Sequence, residues 1–143
     1  MIAPDTNLLL YAYNELSPHH HQATKYLEGI LSATEPVGFV LPVIHSFVRL
    51  ITNPAISGKA VPLAHALGHV DEWLAFPHVR MLYPGDRHWD YVKRLTKEGH
   101  ATGNLVPDTV IAAIALEYGA VIHTNDRDFA RFPSVRWHNP LKP

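Results

Sequence analysis

Three aspartates stand at positions where a folded chain can gather negative charge. Asp5 follows a short apolar run at the start of the sequence, and Asp126 follows a second such run near its end. Asp108 stands at the start of a long apolar, helix-like stretch. In open α/β sheets, ligand-binding groups collect beyond the carboxyl ends of the strands, where loops enter helices. We therefore expect the three carboxylates to converge if the first and fourth apolar strands are neighbours.

Carboxylates so placed repel one another, by about 4 kcal/mol for each pair at 4 Å and an effective dielectric of 20. A divalent cation among them removes this repulsion. Mg²⁺ and Mn²⁺ are suited to the position, because hard cations prefer carboxylate and water oxygens. The spacing therefore predicts a metal site formed by Asp5, Asp108 and Asp126.

A simpler interpretation exists for the individual residues. Aspartate in the first turn of a helix is favoured by free N–H groups and by the helix dipole, so Asp108, Asp126 and Asp128 are each open to a capping role. Asp5 fits that role less well, because Asp5-Thr6-Asn7 places three polar residues between a strand and a run of leucines. The aspartates taken together therefore indicate a metal site more strongly than any one of them does.

The elements that must position these side chains follow from hydrophobic periodicity. Strand-length apolar runs alternate with longer stretches of helical period, which indicates an α/β fold with a mostly parallel sheet. The predicted strands are 1–4, 37–41, 79–82, 121–123 and an edge strand at 135–137. The first two predicted helices begin at Leu8 and at Ser17, the latter as N-cap. The next three span 43–51, 63–76 and 87–98, and the last runs from Asn104 or Asp108 to Gly119.

Composition limits the class of protein. The chain has 143 residues, a formal net charge of −1 and no cysteine, which predicts one domain over 1–143 and excludes disulfide and thiolate chemistry. Without a strongly basic balance, any nucleic-acid contact must be local. No apolar run approaches a membrane span, and the first residues lack a basic targeting region, so we expect a cytoplasmic protein without membrane contact.

Several motifs carry a family resemblance. The segments Pro4-Asp5-Thr6-Asn7-Leu8-Leu9, Asn104-Leu105-Val106-Pro107-Asp108, Thr124-Asn125-Asp126-Arg127-Asp128-Phe129 and Asn139-Pro140-Leu141 resemble the PIN-domain ribonucleases of the VapC toxin type. The order and spacing of the motifs agree over the whole chain. The resemblance implies a PIN-like three-layer α/β fold with a short central sheet flanked by helices.

The resemblance also implies an activity. It implies a Mg²⁺- or Mn²⁺-dependent endoribonuclease that cuts RNA by a metal-activated water, with a VapB-type antitoxin as partner and a homodimer as the expected assembly. Asp5, Asp108 and Asp126 fall on the acidic positions of the family and are the expected catalytic groups and metal ligands. Asp128 is a second candidate ligand at the last position.

Other polar residues are expected to act around the metal. Thr6, Asn7 and Thr124 are candidates to orient its waters. The chain departs from the family at Ser46, where the second helix commonly carries a glutamate; its hydroxyl can still hydrogen-bond a metal water. Candidate phosphate contacts are the cations Arg49, Arg87, Arg94, Lys97 and Arg127.

Two alternatives stay open. The missing glutamate allows a catalytically weak PIN fold that binds RNA or a protein. A hydrolase of small phosphate esters is less favoured, because such aspartate-based phosphatases usually carry a second Asp where Asn7 stands. Finally, we expect that Trp73, Phe76, Trp89 and Tyr91 cannot all be buried in one small core, which would leave aromatic surface for a partner.

Overall fold

The protein is built around one parallel sheet. A computed structural model describes residues 1–57 and 59–142, and in it five parallel strands lie in the order β3-β2-β1-β4-β5. The strands are β1 (Ile2–Pro4), β2 (Val37–Val40), β3 (Val79–Leu82), β4 (Val121–His123) and β5 (Trp137–His138). The expected pairing of the first and fourth strands is confirmed, because Ile2, Ala3 and Pro4 stand opposite Val121, Ile122 and His123.

Helices connect the strands and cover the sheet. The described residues form α1 (Thr6–Tyr13), α2 (His20–Ser32), α3 (Leu41–Ile51), α4 (Pro54–Ser57), α5 (Leu63–Leu74), α6 (His88–Glu98) and α7 (Val106–Tyr118), with 3₁₀ turns at Gly103–Leu105 and Arg127–Arg131. All four residues of β2 are buried. Since successive side chains of a strand point to opposite faces, both faces of the sheet must be covered. The predicted α/β fold is confirmed.

One predicted helix start is wrong. Ser17 does not cap α2, which begins at His20. The Ser17 hydroxyl instead accepts a hydrogen bond from the His19 N–H (3.1 Å), and the Ser17 carbonyl accepts one from the His20 N–H (3.1 Å). Ser17-Pro18 therefore forms a separate turn before the helix, because serine side chains hydrogen-bond a nearby backbone N–H in turns as readily as at helix caps.

Trp73 lies in the core. Its side chain is 1% exposed, stacks on Phe39 and tilts against Phe47, with ring centroids 5.1 and 4.9 Å away. The indole N–H donates to the Tyr13 hydroxyl at 3.0 Å, so its burial leaves no polar group unsatisfied. The expectation that the four aromatics cannot all be buried is confirmed, because Trp73 is buried whereas Trp89 is 66% and Phe76 39% exposed.

Among the described residues the longest helices are α2 and α7, with 13 residues each. Within the part of the chain that the structure describes, each helix is too short or too polar to cross a bilayer.

Candidate active site at the carboxyl edge of the sheet

Asp5 lies where β1 meets α1. It is the N-cap of α1, and its carboxylate accepts hydrogen bonds from the Thr6 N–H (2.7 Å) and the Thr124 hydroxyl (2.8 Å). Its own N–H donates to the carbonyl of His123, the last residue of β4, at 2.8 Å. Asp5 is buried. Two adjacent strands and one helix therefore hold this carboxylate in place, and the expectation that Asp5 fits a capping role less well than the other aspartates is wrong.

The Asp126 carboxylate also serves as a cap. Asp126 precedes the 3₁₀ turn Arg127–Arg131, and one of its oxygens accepts a hydrogen bond from the Asp128 N–H at 2.8 Å. A cap bond of this kind uses one lone pair of one oxygen and leaves the rest of the carboxylate available. The capping interpretation is thus correct for Asp126 without excluding a second role.

Asp108 makes no such bond. It stands in the first turn of α7, and its half-buried carboxylate has no hydrogen bond to any residue in the described part of the chain. A capping role therefore does not account for its side chain.

Three of the four predicted carboxylates lie close together. One ligand oxygen each from Asp108, Asp126 and Asp128 lies within 4.8 Å of the other two. Asp5 does not belong to this set of closest oxygens and lies deeper, next to it. The edge of the sheet thus brings Asp128 into the cluster, although this residue is exposed.

The electrostatics of Asp108 reflect this crowding. Burial, and then the negative charges of Asp126, Asp5 and Asp128, raise the pKa of the Asp108 carboxyl to about 6. The charge of Arg131 acts in the opposite direction and lowers it. Burial and the three negative charges all disfavour the charged form of Asp108, and a bound cation would relieve the repulsion among the charges.

The pKa of Asp5 is raised for a similar reason. Burial is the main cause, and the charge of Asp126 adds to it, whereas the hydrogen bonds from Thr124 and Thr6 lower the pKa of this carboxyl. Asp5 therefore interacts electrostatically with the cluster, although its oxygens are not among the three that lie within 4.8 Å of one another.

Thr124 connects these groups. Its hydroxyl donates to Asp5 and accepts hydrogen bonds from the Asp126 N–H (2.9 Å) and the Asn7 side-chain amide (3.2 Å). One donor and two acceptor positions are all that a hydroxyl offers, so this group is fully used. Asn7 in turn accepts from the Asn125 N–H at 3.3 Å. The predicted neighbours Asn7 and Thr124 thus lie at the site, while Thr6 contributes its backbone N–H.

Sequence reasoning missed the role of two further asparagines. The Asn139 amide donates to the Asn125 side-chain carbonyl at 2.8 Å, and the Asn125 amide donates to the Tyr11 hydroxyl at 3.3 Å. Asn139 also accepts from the Leu141 N–H at 3.0 Å. The Asn139-Pro140-Leu141 motif was a signal that this segment matters, but not of which residues it contacts.

Arg131 was also missed. Its guanidinium donates to the Gly99 carbonyl at 2.8 Å and lies 4.0 Å from a carboxylate oxygen of Asp128. The Nε atom of Arg131 is buried without a hydrogen-bond partner among the described residues. The positively charged side chain of Arg131 therefore lies next to the acidic cluster. The only sign of this contact in the sequence is that Arg131 follows Asp128 by three residues.

Ser46 lies on α3, and its side chain is half-buried. Its hydroxyl forms no hydrogen bond with another residue of the described ranges, and α3 carries no acidic side chain. The water-orienting role of Ser46 stays a prediction.

The donor set fits a hard divalent cation. The converging groups are carboxylates, with no sulfur or imidazole ligand in the cluster, and Mg²⁺ and Mn²⁺ prefer such oxygen ligands. Asp108, Asp126 and Asp128 are the residues that would hold the ion, with Asp5 behind them.

The fold and this acidic edge define a class of protein. The PIN domain family matches residues 2–135, and the chain belongs to this family. Within it, the chain is of the VapC type. It is 36% identical over 142 residues to Ribonuclease VapC33 of Mycobacterium tuberculosis, covering 99% of both chains, and 39% identical over 136 residues to Ribonuclease VapC37 of the same organism, covering 95% and 94%.

Solved structures share the fold. The VapBC2 complex of Rickettsia felis, bound to a DNA fragment from its promoter, aligns with a TM-score of 0.71 at 21% identity over 97% of this chain and 98% of that chain. VapC20 of Mycobacterium tuberculosis, a toxin that cleaves the sarcin–ricin loop, aligns with a TM-score of 0.66 at 18% identity, covering 95% and 99%. At these identities the likeness concerns the fold.

Proposed function

We propose that this chain is a divalent-metal-dependent endoribonuclease and the toxin of a VapBC-type system. The observation that carries the proposal is the convergence of Asp108, Asp126 and Asp128 at the edge of the sheet, with Asp5 buried beside them. Two relatives support the proposal, because VapC33 and VapC37 are named as ribonucleases and match nearly the whole chain.

The chain's own residues prepare the site for this reaction. Asp108, Asp126 and Asp128 would hold Mg²⁺ or Mn²⁺, and the hydrogen bonds from Thr124 and Thr6 keep Asp5 in place next to them. When bound, such an ion lowers the pKa of water and offsets negative charge on a phosphate.

Hydrogen bonds link the segments that carry Asp5 and Asp126. The Asn7 side chain bonds the Thr124 hydroxyl and the Asn125 N–H, and so ties α1 to the loop after β4. Such pre-positioned neighbours orient the ligands of a metal and tune its affinity.

A VapB-type antitoxin is the proposed partner. The Rickettsia felis structure and those of Salmonella typhimurium and nontypeable Haemophilus influenzae are VapBC structures, and this chain has the same fold. The acidic cluster suits a basic antitoxin side chain in place of the metal. A homodimer, an RNA substrate and a cytoplasmic location stay predictions.

The weak binding module is not favoured as an alternative. The relatives that match over nearly the full chain are named as ribonucleases, which favours an enzyme over a binding module.

Cleavage of total RNA tests the proposed function. Purified chain, freed of its partner, is incubated with RNA in Mg²⁺, in Mn²⁺ and in EDTA, and the 5′ ends of the products are mapped. We expect discrete cuts with either ion, none in EDTA, and none with Asp108→Asn. Cuts that persist in EDTA at the same positions would contradict metal dependence, and the absence of any metal-stimulated cut would contradict the activity.

A further inference from the structure

Away from the acidic edge, α6 presents one tyrosine between two arginines. The guanidinium carbons of Arg87 and Arg94 lie 5.1 and 5.6 Å from the centroid of the Tyr91 ring. Both arginines are exposed, and neither guanidinium group forms an ion pair or a hydrogen bond with any residue of 1–57 or 59–142. By contrast, Lys93 on the same helix is paired with Asp90 at 3.7 Å. We call Arg87, Tyr91 and Arg94 the arginine–tyrosine stripe.

The stripe leads toward the acidic cluster. Arg87, Tyr91 and Arg94 share one side of α6 with Glu98, since residues three, four and seven apart lie on one face of a helix. Glu98 accepts hydrogen bonds from the Ser134 N–H (2.8 Å) and hydroxyl (2.9 Å), just after the 3₁₀ turn that carries Asp128.

A second contact fixes the same end of α6. The Arg131 guanidinium bonds the Gly99 carbonyl directly after the helix and lies beside Asp128. Arg94 precedes Gly99 by five residues, about 7.5 Å along a helix axis. The end of the stripe therefore lies near the segment that carries two of the three clustered carboxylates.

We infer that the arginine–tyrosine stripe binds the sugar–phosphate backbone of the RNA strand as it enters the acidic site. This inference rests on the proposed function. A chain of net charge −1 with a cluster of carboxylates at its site repels a polyanion, so binding needs local cations. Guanidinium groups match phosphate oxygens with two parallel N–H donors, and the donors of Arg87 and Arg94 have no hydrogen-bond partner in the part of the chain that the structure describes.

The Tyr91 ring restricts the two flexible arginine side chains before a phosphate binds. Stacking over the ring confines each guanidinium, so less conformational entropy is lost when a phosphate binds. Both guanidinium groups lie close to the ring, so the contact that we infer is with phosphates and not with bases. The stripe therefore contributes affinity without reading sequence, as phosphate contacts generally do.

Binding in EDTA separates this contact from catalysis. A fluorescein-labelled RNA stem-loop that the wild-type chain cleaves in Mg²⁺ is titrated with wild type, Arg87→Gln, Arg94→Gln and the double variant over 50–200 mM salt. The matched control is Arg80→Gln, since Arg80 also stacks over a tyrosine, Tyr118, at 5.0 Å. Tyr91→Phe and Tyr91→Leu test the ring.

Each Arg87 or Arg94 substitution is expected to weaken binding about fivefold at 0.1 M salt and to reduce the log–log salt slope by about 0.7, the value for one single-strand phosphate contact. Arg80→Gln should leave both quantities unchanged, and Tyr91→Phe should bind more tightly than Tyr91→Leu. In Mg²⁺ the double variant should raise KM with kcat retained.

Other results overturn the inference. If wild type cleaves the RNA but the double variant binds it as Arg80→Gln does, the stripe is not an RNA contact and the proposed function stands. If the double variant instead loses only its co-purifying partner protein, the stripe is a protein interface. If wild type neither binds nor cleaves RNA, the proposed function itself fails, and the stripe proposal fails with it.

Discussion

The hydroxyl of Thr124 donates a 2.8 Å hydrogen bond to the carboxylate of Asp5, across a separation of 119 residues. This bond joins the ends of β1 and β4 and places the buried carboxylate beside the acidic cluster. The same hydroxyl accepts hydrogen bonds from the Asp126 N–H and the Asn7 amide. One side chain thus organises both the buried and the exposed part of the site.

Replacing Thr124 by valine should destabilise the fold. The substitution keeps the shape and removes the hydroxyl, so the Asp5 carboxylate and two donors lose a buried partner. We expect a loss of about 2 kcal/mol in the free energy of unfolding, measured by urea denaturation, within the range for a buried unsatisfied polar group. Thr124→Ser keeps the hydroxyl and serves as control. A Thr124→Val variant as stable as the wild type, together with a destabilised Thr124→Ser, would show that the methyl group, not the hydrogen bonds, matters.

Asp108→Asn should separate the metal role from the capping role. The Asp108 carboxylate has no hydrogen-bond partner among the described residues and is repelled by its neighbours. The neutral variant should therefore be as stable as the wild type in EDTA, or more stable, and should lose its thermal stabilisation by Mg²⁺. If Asp108 serves only to offset the dipole of α7, the variant should instead lose about 0.5 kcal/mol of stability and keep its activity. Thermal melts with and without the ion distinguish these outcomes.

The raised pKa of Asp108 has a consequence for pH. Its folded-state pKa is about 6, against an ordinary value of 3.8, so between these pH values the folded chain retains a proton that the unfolded chain has released. The free energy of unfolding in EDTA should therefore fall as the pH rises from about 4 to about 6 through this group.

The comparison with Asp108→Asn isolates this effect from Asp5, whose pKa is raised in the same direction. Urea denaturation of both proteins across this pH range gives the difference curve, which should slope downward for the wild type. Metal affinity should rise over the same range as the carboxyl deprotonates. Parallel pH profiles for the two proteins would show that Asp108 ionises normally.

Ser46→Glu should strengthen metal binding. The substitution adds a carboxylate on α3, where the VapC-type proteins commonly carry glutamate and this chain has a half-buried serine. We expect a larger rise in melting temperature on adding Mn²⁺ than in the wild type. Ser46→Gln, of nearly the same size but neutral, should show no gain. If Glu and Gln behave alike, position 46 does not face the ion.

The antitoxin can be sought directly. Co-expression with the product of the adjacent upstream gene should yield a stable complex, because an inhibitory basic side chain is expected to occupy the carboxylate cluster. Asp128→Asn removes one exposed member of that cluster and should weaken the complex, whereas Asp90→Asn, an equal charge change on α6, should not. Failure to co-purify, with normal growth at high expression of this chain alone, would contradict a toxin role.

The elements of the fold could be predicted with little error where local pattern decides. The strand Val79–Leu82 and the strand Val121–His123 have the predicted bounds, and Gly119 ends α7 in a left-handed conformation with φ of 64°. Apolar periodicity and the freedom of glycine act over a few residues, so they can be seen in the sequence.

The sequence by itself determined that aspartates follow two parallel strands and stand at the start of a buried helix. Only the tertiary structure decided which oxygens meet: Asp108, Asp126 and Asp128 converge, while Asp5 lies deeper with Thr124. It also decided that Trp73 finds Tyr13 in the core. The physical reason is distance along the chain, because contacts such as that between Asn139 and Asn125, or Arg131 and Gly99, depend on strand order and side-chain direction, which no local pattern encodes.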